Sequence, residues 1–175
     1  MRVNRAVLPQ MRAQGSGLLL QIGSISGRIG LPFLGLYGAT KFTLEGLTES
    51  YRYELAPFGI DAAIIEPGTY PTTNIGANRR TPADQERAAL YASTMRSLMP
   101  RVYDGSDSNS NPQDVADAIA ALIALPAGQR PLRMVVAPVA AQREAVAGIN
   151  QASLEHTTAF YQQIDVLPAI TLARN

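Results

Sequence analysis

Two short, strongly apolar runs, GLLLQI at 17–22 and IDAAII at 60–65, flank one long helical segment, and this arrangement restricts the fold more than any other feature. Strands with one wet face alternate polar and apolar residues. Runs without that alternation are buried on both faces, as in a parallel sheet covered by helices. Between them, residues 37–56 contain few breakers and carry Phe42, Leu44, Leu47, Tyr51 and Leu55 as apolar positions. Pro57-Phe58-Gly59 stops that helix. Strand, helix, strand reads as a parallel βαβ unit of an α/β sheet.

The flanking sequence extends the pattern. Val3, Ala6, Val7 and Met11 make one apolar stripe over 2–14, with Pro9 expected to kink or weaken that helix. Gly23 to Leu36 is a Gly/Ser/Pro-rich loop, and Glu66-Pro67-Gly68 closes the second strand. Residues 82–99 read as a helix opened by Pro82. Residues 103–111 are a polar loop or hinge. A helix over 112–125, with Ser110 or Asn111 at its start, leads to a third strand at 132–137. Residues 140–163 are weakly helical and the last dozen form a tail. Three strands are few for a doubly wound sheet, so the periodicity suggests half a domain. The expected architecture is a partial Rossmann-like doubly wound parallel sheet, about three strands with flanking helices.

Composition removes several function classes. The chain has 175 residues with 15 Lys+Arg against 14 Asp+Glu, a net charge of +1. That balance gives no electrostatic footprint for nucleic acid or an anionic membrane surface. With no Cys and one His, His156, there is no disulfide framework and little to build a metal site from. His156 reads as a solvated tail residue. No apolar run reaches the roughly 18 residues of a membrane span, and the N-terminus has no signal-peptide core. A cytoplasmic protein is the expectation.

The basic residues are 14 Arg and one Lys, and that Lys41 stands four residues after Tyr37. Given seven Tyr, random placement produces this about 4% of the time. Arg replaces Lys for solubility but not where a compact ammonium is needed. On a helix the two side chains share a face, one turn apart. A phenol has a pKa near 10 and transfers protons poorly at neutral pH; a nearby ammonium favours its ionised form. Tyr37 then becomes an acid for a carbonyl oxygen or a base for an alcohol. Ser24, just past the end of the first strand, can donate to the same oxygen. Ligands of open α/β sheets bind at those carboxyl ends. The Pro67-Gly68 loop leaves the next strand at the same edge, Gly68 permits close backbone approach, and Thr69 and Thr72 offer hydroxyls. Each feature alone has a plainer reading: Ser24 and Ser26 as turn formers, Pro-Gly as a turn. Their order and placement together favour a site.

The run IGSISGRIGLPFLGLYGATKFTLEGLTESYRYELAPFGIDAAIIEPG closely resembles the short-chain dehydrogenase/reductase family, and RAVLPQMRAQGSG is similar to the helix and turn before that family's serine strand. A weaker similarity continues through NPQDVADAIAALIALP and RPLRMVVAP. The resemblance implies that Tyr37 is the catalytic acid/base. Lys41 is then the residue that lowers its pKa and contacts the nicotinamide ribose. Ser24, rather than Ser26, is the family serine. Pro67 and Gly68 lie in the loop beside the nicotinamide ring, and Thr72 is the threonine that reaches the cofactor; the Thr69 hydroxyl is a further candidate for binding it. Residues 73–110 correspond to the variable substrate lid and 140–175 to a C-terminal tail of one truncated domain spanning 1–175.

The cofactor implied is NAD or NADP, the substrate a small-molecule alcohol or ketone, and the partner a second copy docked through the Tyr37 helix. The family's glycine-rich cofactor fingerprint has no counterpart here, so the resemblance is to its C-terminal part. Asn4 stands twenty residues before Ser24, too close for the family's catalytic asparagine, and reads as an ordinary helix residue. Tyr51 and Tyr53 are expected to pack the long helix, and Tyr70, Tyr91 and Tyr103 to line a substrate pocket. Two functions compete: an NAD(P)-dependent oxidoreductase of secondary alcohols and ketones, and a catalytically silent fragment or subunit-interaction piece of one. A pure binding module is third, since it does not account for the lone lysine beside a tyrosine.

Overall fold

The computed structural model of the chain describes residues 2–75, 77–78, 80–103 and 110–166. Helix α1 (Arg2–Gln14) leads into strand β1 (Gly17–Ile22) and a short 3-10 turn (Ile25–Gly27). Helix α2 (Gly35–Glu54) follows, then a second 3-10 turn (Ala56–Phe58) and strand β2 (Ile60–Pro67). Next come α3 (Gln85–Leu90), α4 (Ala92–Tyr103), α5 (Gln113–Ala124), β3 (Arg133–Val136) and α6 (Ala140–Gln163). The strands form one parallel sheet in the order β1-β2-β3, with Gly17 opposite Ile60 and Ile64 opposite Arg133. The expected three-stranded α/β sheet is the observed one.

Strand parity divides the core. Leu19, Ile60 and Ala62 face α1 and α2, packing with Leu55, Val7, Leu8, Met11 and Tyr51. Ala63 and Ile65 face α5, packing with Leu122, Val115 and Ile119. A third cluster, Ile25, Ala137 and Val146, seats α6 near the C-terminal ends of the strands. Central strand β2 is dry on both sides: Ile60, Ala62, Ala63, Ile64 and Ile65 have no exposure. Fully burying each of these isoleucine side chains contributes about 1.5–3 kcal/mol. Among the described residues no helix is long and apolar enough to cross a membrane.

Several boundaries differ from the sequence reading for physical reasons. Helix α1 runs on through Pro9, which lies on its exposed side while Leu8 and Met11 anchor the helix on the sheet. Strand β2 continues past Ile65 because Glu66, a charge in sequence, is fully buried. The single helix expected at 82–99 is two. It opens at Gln85 because Asp84 caps it, its Oδ1 accepting from Arg87 N at 2.9 Å, and it breaks at Tyr91. Asn111 starts α5, its Oδ1 accepting from Gln113 N at 3.0 Å. His156 is exposed but belongs to α6 rather than to a tail, its Nδ1 2.7 Å from the Ala152 carbonyl oxygen. Gly59 ends the α2 segment with φ +70°, and a Cβ there would lie 2.2 Å from the Gly15 carbonyl oxygen.

Candidate active site

The C-terminal ends of β1 and β2 are tied together where Gly23 N donates to Ile65 O at 2.7 Å. Beyond β1 the chain turns through Ser24 into the first 3-10 turn. Ser24 caps that turn, its Oγ accepting from Ser26 N at 3.1 Å. A hydroxyl that accepts in this way keeps its own O–H free to donate. Ser24 and Ser26 are both buried. The turn is pressed on α2: a Cβ at Gly27 would lie 3.1 Å from the Lys41 carbonyl oxygen, and one at Gly38 3.6 Å from the Ser26 carbonyl oxygen. The small residues of both elements therefore permit this approach.

Helix α2 carries Tyr37 in its first turn and Lys41 in its second. Lys41 Nζ donates to Ile22 O at 3.0 Å, which fixes the ammonium at the mouth of β1. The same Nζ lies 5.7 Å from the Tyr37 ring centroid, within cation–π range. Tyr37 is exposed, so its hydroxyl is open to a ligand. The structure thus brings Tyr37, Lys41 and the Ser24 turn to one strand edge.

The remaining expected residues are placed differently. Pro67 ends β2 at the same edge, and Gly68 N donates to Val136 O at 2.9 Å. A Cβ at Gly68 would lie 2.6 Å from Ala137 Cβ, so glycine is needed there for the fit against β3, not only for ligand approach. Thr69 is half-buried beside it. Thr72 Oγ1 donates to Ser110 O at 3.3 Å, tying its loop to the segment before α5.

Among the tyrosines, Tyr51 packs on the α1–α2 core and Tyr53 stacks edge-on against Tyr161 at 4.9 Å. Burial, with help from the charge of Glu49, raises the Tyr53 phenol to about 12. Tyr70 is buried; its hydroxyl donates to Val136 O at 3.2 Å, and it lines a cavity of about 410 Å³ with Ser110, Asp114 and Arg143. Tyr91 is exposed and meets Phe33 edge-on at 6.4 Å. Phe33 has φ 62°, a left-handed conformation rare for an aromatic residue, in the loop that leads into α2. The Tyr103 side chain and residues 104–109 of the expected lid, like residues 167–175 of the expected tail, lie outside the described residues. Asn4 is buried on α1, its Oδ1 accepting from Gln21 Nε2 at 3.1 Å.

One cluster was missed in the sequence. Glu45, one turn beyond Lys41, and Glu66, the residue before Pro67, are buried within hydrogen-bonding distance of each other. Arg133 Nε donates to Glu45 Oε2 at 2.9 Å and its Nη2 to Glu49 Oε2 at 2.7 Å. Asn150 Nδ2 donates to Glu66 Oε2 at 2.5 Å. Burial first, and then the charge of Glu45, push the Glu66 carboxyl up to about 8; burial also raises Glu45 against the pull of Arg133. The signal available was an acid, Glu66, following the apolar run 62–65 at the end of the strand.

The donor set fits the nicotinamide–ribose end of a dinucleotide. Lys41 has spent one N–H on Ile22 O, leaving two for ribose hydroxyls beside an open phenol.

Residues 1–84 match the short chain dehydrogenase family. An uncharacterized oxidoreductase, YusZ, of Bacillus subtilis is 38% identical over 121 residues, covering 67% of this chain and 42% of the relative. Human 17-beta-hydroxysteroid dehydrogenase type 1 is 48% identical over 71 residues, 41% of this chain and 22% of that protein. A short-chain dehydrogenase structure from Streptomyces avermitilis superposes with TM-score 0.61 at 27% identity, over 95% of this chain and 56% of that one. The closed form of serine dehydrogenase complexed with NADP+ gives TM-score 0.57 at 26% identity, over 76% and 48%. The chain spans about half the length of these relatives or less. Its sequence, its parallel sheet and the solved structures it superposes on agree: the chain belongs to the short-chain dehydrogenase/reductase family.

Proposed function

We propose that this chain carries the catalytic side of an NAD(P)-dependent oxidoreductase that interconverts a secondary alcohol and a ketone, with Tyr37 as the acid/base. The observation that carries the reading is Lys41, the only lysine, anchored on Ile22 O and held 5.7 Å from the Tyr37 ring centroid. A 17-beta-hydroxysteroid is a secondary alcohol, and the NADP+ complex of serine dehydrogenase supports a nicotinamide cofactor.

When bound, the nicotinamide supplies or accepts a hydride at the substrate carbon. In reduction, Tyr37 gives its hydroxyl proton to the carbonyl oxygen; in oxidation it takes the alcohol proton. The Lys41 ammonium stabilises the negative charge that builds on the phenol oxygen as that proton leaves. Its remaining N–H groups would hold the cofactor's ribose hydroxyls. Ser24 donates its O–H to the same substrate oxygen, orienting the carbonyl. Pro67, Gly68 and Thr69 would line the nicotinamide side of the cofactor site, and Thr72 would contribute from the loop beyond. The described part of the expected substrate lid includes Tyr91, whose contact with Phe33 joins it to the loop leading into Tyr37. A second copy docks along α2, where Leu36 and Phe42 are exposed; light scattering that finds only monomer at micromolar concentration refutes this.

The test of the whole reading is Tyr37→Phe in a polypeptide that turns over NAD(P)H and a ketone. Turnover falls by about 10²–10⁴, the usual contribution of one general acid. Activity retained within a factor of two overturns the role. A second reading, a silent piece of such an enzyme, draws on the chain's half-length coverage of its relatives. Micromolar binding of NADH or NADPH with ketone turnover by the 175-residue chain refutes it.

A further inference from the structure

Directly beneath the candidate site lies the Glu45–Glu66 cluster, which the proposed chemistry does not use. Each carboxylate has one satisfied oxygen: Glu45 Oε2 accepts from Arg133, and Glu66 Oε2 accepts from Asn150. The other oxygen of each, Oε1 in both cases, is buried without a donor among the described residues. Both residues are at most 2% exposed, and their carboxyls are within hydrogen-bonding distance of each other. Two unprotonated carboxylates so placed would leave two orphaned acceptors and a mutual repulsion that Arg133 offsets only in part. One proton between them satisfies both oxygens and removes one charge.

The position of the pair gives it consequence. Glu45 projects from α2 one turn beyond Lys41, and Glu66 from β2 immediately before Pro67. A Cβ on Gly23 would lie 3.2 Å from Glu45 Oε1, and one on Gly27 3.0 Å from Glu45 Cγ, so the Ser24 turn rests on Glu45. We propose that Glu45 and Glu66 share a single proton and act as a latch under the site, joining α2 to β2 while the proton is held and forcing them apart when solvent base removes it. The two are positioning residues, acting through Lys41, the Ser24 turn and Pro67. The charged groups facing the pair are Arg133 from β3, which also holds Glu49, and Arg28 from the loop after the first 3-10 turn; Asn150 faces it from α6 without charge.

The Glu66 carboxyl is raised in the folded chain to about 8, well above the ordinary carboxylate range. Its contribution to stability is fully present below the unfolded value and is lost as pH rises through the folded value. Between those limits the folded state holds a proton that the unfolded state has released.

The test uses the full chain without cofactor or substrate, so its outcome is independent of any role of Tyr37. Infrared spectra of the wild type at pH 7 show a protonated carboxylic C=O band, which vanishes as pH passes about 8. Glu66→Gln, whose amide donates to Glu45 Oε1 in place of the shared proton, lacks the band. The unfolding constant of the wild type rises more steeply with pH than that of Glu66→Gln, by up to about tenfold per pH unit, one proton's worth. A wild type with no such band at pH 7 overturns the proposal, as does a band or slope unchanged in Glu66→Gln. Should Glu66→Gln not fold, the wild-type band alone decides, and Glu45→Gln repeats the comparison from the other side.

Discussion

One ammonium stands among fourteen guanidiniums, and its surroundings explain why arginine does not replace it. Lys41 must reach the Ile22 carbonyl oxygen with a single N–H while staying near the Tyr37 ring. A point donor on a flexible stem can do this; a planar fork spreads its donors too widely. Lys41→Arg is expected to keep the fold, with a melting temperature within a few degrees, since the charge remains and no core cavity opens. In an active polypeptide it is expected to lose about tenfold or more in kcat/KM, because one charge-assisted hydrogen bond contributes roughly 1.5–3 kcal/mol. Unchanged kcat/KM would show that any cation at this position suffices. Tyr37 and Lys41 were legible in sequence because helical spacing alone sets their shared face. The fit of Gly68 was not: the atom that demands glycine belongs to Ala137, sixty-nine residues later, and local sequence carries no trace of it.

At the scale of elements, buried ion pairs tie helices to strands alongside the apolar packing. Arg133 on β3 binds two acids of α2, Glu45 and Glu49, one helical turn apart. At the opposite end of β2, Asp61 is fully buried and holds Arg52 of α2 and Arg130 of the loop before β3, each at 2.8 Å, and accepts from Gly128 N at 3.0 Å. Asp61→Ala removes the acceptor for three donors and leaves two guanidiniums facing a dry strand. The expected cost is about 3 kcal/mol, the low end for breaking a buried pair, because both arginines keep some contact with water. Urea titration checks it, and a loss below about 1 kcal/mol would mean the arginines find solvent easily. These ties also explain what sequence reading of the elements could and could not deliver. The strand cores at 17–22 and 60–65 showed in their apolarity. The extension of β2 to Pro67 did not, because Glu66 is accommodated by Glu45 and Asn150, which are distant in sequence. The break at Tyr91 was hidden for a related reason: no breaker marks it, and the Phe33 contact that accompanies it crosses from another loop.

Over the whole molecule, the sheet has an uneven character. Strand β2 is paired on both sides and dry, whereas among the described residues β1 pairs with β2 alone, and Ile22 at its end is 46% exposed. In a parallel strand paired on one side, every second amide points away from its neighbour. Apolar strands with such an open edge invite pairing with another chain. Local opening follows the density of buried contacts, so protection should be graded rather than uniform. Hydrogen exchange on the full chain is therefore expected to find its slowest amides in Ile60–Ile65, at the level of global unfolding. In Leu18–Ile22 slow and fast amides should alternate, and α3, which buries no residue, should exchange fastest among the helices. Uniformly slow exchange across Leu18–Ile22 would mean that the outer edge is covered in solution, and a second copy of the chain would be the first candidate to cover it. That result would bear on function as well as stability. Lys41 is anchored on the last carbonyl of β1, so whatever steadies that edge also steadies the ammonium beside Tyr37.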